Sequence, residues 1–133
     1  HEGSISTVHS NSPRDAISRL ETLVLMSGME LPLRAIREQI ASAVDVIVQI
    51  SRLKDGSRRI THVTEVQSME GDIVTLQDAF AFDHAAGIGF DGSVLGSAVA
   101  TGVRPRFVDR FAELGIPLSP HVFQADLTTR GAR

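Results

Sequence analysis

The chain has no cysteine, which leaves it neither a disulfide framework nor a thiolate metal site and suits a reducing compartment. Its only lysine is Lys54, and that lysine precedes Asp55-Gly56 in a turn-forming stretch, so it is not the lysine of a phosphate-binding loop. No apolar run approaches the roughly 18 residues that cross a bilayer, and no charged-then-apolar leader opens the sequence. The reading is of a soluble, unexported chain in the cytoplasm. Basic residues are spread along a chain of net charge −3, without the concentrated positive face that a phosphate backbone demands, so nucleic acid is not an expected partner. What is present is enough for one core: 133 residues, 42% hydrophobic and 22% charged. The chain starts at His1 rather than methionine, and its opening residues read as the middle of a longer sequence.

Ser4 to His9 alternates small polar residues with apolar or β-branched ones and runs into Ser10-Asn11-Ser12-Pro13, which predicts a strand ending in a turn. A helix follows. Ser12 is its cap, Pro13 suits its first position, and Asp15 complements the dipole. Ala16, Ile17, Leu20, Leu23 and Val24 form its apolar stripe, and Gly28 stops it. A second helix carries Leu33, Ile36, Ile40 and Ala43 on one side, with Arg34, Arg37, Glu38 and Gln39 on the wet side. From Val44 the period changes to two, placing Val44, Val46, Val48 and Ile50 on one strand face. Lys54 to Ser57 supplies a hairpin turn, Arg58 to Val66 the returning strand, Met69 to Asp72 another turn, and Ile73 to Leu76 a third strand of an antiparallel meander. Asp83 to Gly102 reads as a long loop, Phe107, Phe111 and Leu114 as a short helix ending at Gly115, and Ser119 to Arg133 as a loosely held tail. The fold class expected is mixed α/β, divided into residues 1–82 and a C-terminal loop, helix and tail over 83–133.

Gly87-Ile-Gly-Phe-Asp-Gly92 satisfies the G-x-G-x-x-G pattern, but a dinucleotide-binding turn needs a strand before it and a helix after it. Ser93 to Thr101 is a poor amphipathic helix, so the segment is read as a flexible loop. As a P-loop it also fails, because Ser93 and Val94 stand where lysine and serine or threonine belong. His1 and His9 flank the first strand and lie roughly 25 Å apart if it is extended, too far for one zinc ion. They are either strand-end residues or groups with a chemical role. Ser6 and Thr7 can orient His9 or a water, and Asn11 can tie the following turn, although strand and cap roles explain them equally. Arg58 and Arg59 point to opposite faces and do not form one clamp, while Arg14, Arg19 and Arg37 suit surface pairing.

His1-Glu-Gly-Ser-Ile-Ser-Thr-Val-His9, then Ser-Asn-Ser-Pro-Arg-Asp-Ala and Ser18-Arg-Leu-Glu21, closely resembles the histidine box of the type II/type IV secretion ATPases. Within them the chain is most similar to the tight-adherence pilus ATPases, the CpaF subfamily. That similarity runs through Leu31 to Asp45, Ser51 to Ile60 and Val63 to Val66, and returns at Thr101-Gly-Val-Arg-Pro-Arg-Phe107. The resemblance implies the C-terminal part of a RecA-like ATPase core, with the Ser4–His9 strand central. It makes His1 and His9 candidates for supporting catalytic geometry near the γ-phosphate, with Thr7 and Arg19 as further nucleotide contacts. It also implies ATP and Mg²⁺ as cofactors of the whole protein, a homo-hexamer, and an inner-membrane platform as partner of a motor peripheral to the membrane. The P-loop and the acidic Walker B segment are absent from this stretch, so these 133 residues alone are expected to be inactive and to hold no cofactor tightly. Two other classes compete: a non-catalytic α+β interaction or regulatory module, and a metal-dependent hydrolase using His1, His9 and one of His62, His84 or His121.

Overall fold

The computed structural model describes residues 3–126, and within them two helices, a four-stranded antiparallel sheet and a third short helix follow one another along the chain. The first helix, α1 (Pro13–Met26), starts as the local sequence dictates: the Ser12 side chain accepts from the Asp15 amide, and Pro13 sits where no amide is needed. Gly28 leaves the helix with φ +80, a conformation that suits glycine. The second helix, α2, spans Leu33–Ala43. Strands β1 (Val46–Arg52), β2 (Arg58–Glu70), β3 (Ile73–Phe82) and β4 (Ala98–Ala100) pair in the order β1-β2-β3-β4. Bulges interrupt the register between Gln49 and Ile50, between Val63 and Thr64, and between Val66 and Met69.

Helices α1 and α2 lie on one face of this sheet. Ile17, Ile36, Ile40, Val66 and Val74 form the buried cluster there, with Leu20, Val24, Val44, Ile47, Met69 and Leu76 packed around it. Polar ties hold the layers in register. The Arg14 Nη1 donates to the Val74 carbonyl at 2.6 Å, and Arg37 spans from Glu21 (Nε to Oε1, 2.8 Å) to the Asp72 carbonyl (2.9 Å). The Glu21 carboxylate raises the Arg37 pKa further above its usual value. Among the described residues, the opposite face is covered around β3, where Ala79 and Phe80 meet Val108 and Phe107 of α3 (Phe107–Glu113) and Phe123 of a 3-10 turn (Pro120–Phe123).

Several expectations change. Ser4 to His9 belongs to no strand, and Ile5 is fully exposed: a ladder needs a partner, and among the described residues nothing pairs with it. Leu23, assigned to the α1 stripe, is 56% exposed. The long loop expected after Asp83 contains β4, whose Ala98–Ala100 pair with Phe82–Phe80. The tail is not loose up to Gln124, because Phe123 is buried against Phe80 and Phe107. Strands β2 and β3 also run further than their apolar patterns suggest, since long antiparallel pairing satisfies backbone groups whatever the side chains are.

Candidate functional site

The segment that carries the histidine-box resemblance is fixed where it enters α1. The Ser10 Oγ donates to the Gln49 Oε1 at 3.2 Å, and the Gln49 Nε2 donates back to the Ser10 carbonyl at 3.0 Å. Gln49 is buried on β1, so this reciprocal pair satisfies an amide that would otherwise be costly and fastens the chain to the sheet one residue after His9. One residue further, the Asn11 amide donates to the Asp15 Oδ2 at 2.8 Å, and Arg19 Nε donates to the same oxygen at 3.3 Å. The Asn11 amide is the first cause, and Arg19 a lesser one, that lowers the Asp15 pKa.

Of the residues singled out from sequence, Thr7 and His9 lie in the exposed segment just before this anchor, and Arg19 is tied to its far side through Asp15. His1 lies outside the described residues. The three remaining histidines are dispersed: His62 on β2 with its Nδ1 3.1 Å from the Thr61 hydroxyl, His84 with its ring tilted against that of Phe82 at a centroid distance of 4.7 Å, and His121 with its Nδ1 2.9 Å from Gln124 Oε1. No group of three His, Asp or Glu side chains able to hold a metal forms among the described residues. The stretch Gly87 to Gly92 turns back on itself, with Ile88 bridged to Val94, and no helix N-terminus follows it to meet a phosphate. The described residues therefore offer the triphosphate of ATP no backbone cradle at these glycines.

A second polar centre joins the β1–β2 hairpin to the stretch around Val94. Asp-Gly-Ser occurs twice, at 55–57 and 91–93, and folds the same way both times. In each, the serine amide (2.9 and 3.0 Å) and the serine hydroxyl (2.6 Å in both) donate to one carboxylate oxygen of the aspartate. Asp55 then uses its other oxygen to accept from the Val94 amide at 2.7 Å, while Arg59 reaches the carbonyls of Val94 and Gly96 at 3.3 Å. These bonds, the Ser57 hydroxyl first and the Val94 amide next, pull the Asp55 pKa down to about 2. The Ser93 hydroxyl and amide lower that of Asp91. The repeated tripeptide was the available signal. A buried carboxylate closes the list: Glu65 accepts from the Phe107 amide at 3.2 Å and so holds the start of α3 on the sheet.

A family model described as "Type II/IV secretion system protein" matches residues 1–101. A Mycobacterium tuberculosis protein named for conjugal transfer is 33% identical over 73 residues, 55% of this chain and 20% of that protein. The conjugal transfer protein TrbB of Rhizobium radiobacter is 39% identical over 71 residues, 53% of this chain and 20% of its own length. The chain thus spans about a fifth of the length of the curated relatives it matches. No helix among the described residues is long and apolar enough to cross a membrane. With a family match over 101 of its 133 residues, beginning at the segment that Ser10 and Gln49 fasten to the sheet, the chain belongs to the type II/IV secretion system protein family.

Proposed function

We propose that this chain is the C-terminal portion of a secretion or pilus-assembly ATPase of the tight-adherence type, in which ATP hydrolysis drives rigid-body movements between subunits of a hexamer and is passed to an inner-membrane platform. The observation that carries the reading is the family match over residues 1–101. In the whole protein, a P-loop outside this stretch holds the phosphates, acidic groups outside it hold Mg²⁺, and the motor lies at the inner face of the membrane from the cytoplasmic side. His9, with His1, supports the geometry around the γ-phosphate. Thr7 and Arg19 are supporting contacts. The Ser10–Gln49 pair gives His9 a fixed mount, because it ties the adjoining backbone to β1 rather than leaving it on an unrestrained end.

The test compares ATP hydrolysis by these 133 residues with hydrolysis by the same chain extended upstream through its P-loop, and then introduces His9→Ala. Activity confined to the extended protein and lowered on the order of a hundredfold by His9→Ala, with the oligomer intact, is the expected result. A well-folded, inactive extended hexamer defeats it. That outcome favours the second reading, an α+β interaction or regulatory module, for which the uncovered apolar half of the sheet is the supporting observation.

A further inference from the structure

At an Asp-Gly step a protein backbone can rewrite itself, because glycine offers its amide to the preceding carboxyl with no Cβ in the way. The chain has two such steps, Asp55-Gly56 and Asp91-Gly92, and serine follows each. Locally they are near copies. Both glycines have positive φ, +82 and +81, and both glycine amides donate to a carbonyl three residues back, Gly56 to Leu53 at 2.9 Å and Gly92 to Gly89 at 3.0 Å. In both, the serine amide and hydroxyl hold the aspartate Oδ1. These contacts therefore act alike on the two sites.

The other carboxylate oxygen separates them. Asp55 Oδ2 accepts from the Val94 amide at 2.7 Å, and Arg59 braces the same stretch through the carbonyls of Val94 and Gly96. Asp91 has no such tether. Beyond Ser93 and its own amide, nothing among the described residues hydrogen-bonds its carboxylate, and it stands exposed in the turn beside Phe90, whose relative exposure is 115%. We propose that Asp91-Gly92 is a site of backbone isomerisation, converting to isoaspartate in the folded chain, while the Val94 amide shields Asp55-Gly56. The Gly92 nitrogen attacks Asp91 Cγ, the Cγ–Oδ2 bond breaks, and Oδ2 leaves as water, carrying the proton of the neutral acid and the one lost by nitrogen. This closes a succinimide. Water then adds at the Asp91 main-chain carbonyl carbon, the bond from that carbon to the Gly92 nitrogen breaks, and the nitrogen regains a proton. The chain now runs through Cβ and Cγ, one methylene longer, and nothing has been oxidised or reduced. At Asp55 the Val94 amide occupies the oxygen that must be protonated and leave. Ser57 first and Val94 next also hold the Asp55 pKa at about 2, so the neutral acid is scarce there. Isoaspartate at 91 loses the turn that Ser93 closes, and its carboxylate is the chemistry that an isoaspartyl methyltransferase recognises. The inference rests on the two turns and does not depend on the ATPase reading.

The test ages the 133-residue chain at mildly acidic pH, folded and in urea. Peptide mapping with electron-transfer fragmentation counts isoaspartate at each site, and methyl transfer from labelled S-adenosylmethionine by an isoaspartyl methyltransferase counts the total. In the folded chain, isoaspartate is expected to accumulate at 91 at least about tenfold faster than at 55. In urea the clasp is gone and both sites are a bare Asp-Gly-Ser, so the two rates should converge to within about twofold. Val94→Pro, which lacks the amide, is expected to raise the rate at 55 by about tenfold and to leave that at 91 within about twofold. Equal rates at the two sites of the folded chain, a faster rate at 55, or a ratio that persists unchanged in urea overturns the proposal. A folded Val94→Pro chain in which 55 stays as slow as before overturns it too. Should Val94→Pro fail to fold, the wild-type comparison of folded and urea rates still decides.

Discussion

The two faces of the sheet are built from the same strands and have opposite fates. On the α1/α2 face, Ile17, Ile36 and Val74 are at most 2% exposed and residues from five elements interlock. On the other face, α3 and the Phe123 turn cover the β3 side, and among the described residues Val46, Val48, Ile50 and Ile60 remain between 37% and 60% exposed. The register explains the contrast, since Val48 is opposite Val63 and Ile50 opposite Ile60 on one face, while Ile47, opposite Thr64, faces the helices. An apolar strand face therefore says that something covers it, and a structure is needed to say what. Among the described residues β1 is also an edge strand of the sheet.

The largest test of the contrast is Ile36→Ala beneath the helices, which is expected to cost about 4 kcal/mol in denaturant unfolding because the cavity is enclosed on every side. Phe123→Ala on the partly covered face is expected to cost about 3 kcal/mol, with hydrogen exchange showing the loss concentrated in α3 and β4. On the bare half, Val48→Thr is expected to change stability by no more than about 0.5 kcal/mol while reducing light scattering at high concentration. A loss as large as that of Ile36→Ala would mean that the bare half is covered in solution.

The smallest effect is local and set by pH. The Asp55 carboxyl titrates near 2 in the folded chain, below its ordinary 3.8, so the ionised form is the one the fold prefers. Its contribution is fully present above the ordinary value and is lost as pH falls from there through 2. The Val94 amide should therefore exchange faster, relative to amides of α2, as pH is lowered across that window. Asp55→Asn should remove that extra pH dependence.

Helix α1 was legible because its determinants are local. Ser12, Pro13, Asp15 and Gly28 act within one turn of where they stand, and the apolar period needs no knowledge of the partner surface. The hairpins were legible for the same reason, through Asp55-Gly56 and Gly71 with its φ of +60. β4 was not, since three small residues become a strand only because the β3 edge is there to pair with them. Phe123 looked like part of a tail until Phe80 and Phe107 supplied its surroundings.

The candidate site divides along the same line. The Arg19–Asp15 pair is four residues apart on a helix and follows from spacing. The Ser10–Gln49 anchor and the Asp55–Val94 clasp each join residues 39 apart, and no local pattern marks Gln49 as buried or Val94 as a donor to Asp55. Sequence alone determined the helix caps, the turns, the alternation of the strands and the family resemblance, because each depends on neighbours within a few residues or on an ordered run of motifs. Tertiary structure alone decided which strand face is covered and what fastens the segment after His9, because both depend on atoms that chain order does not bring together.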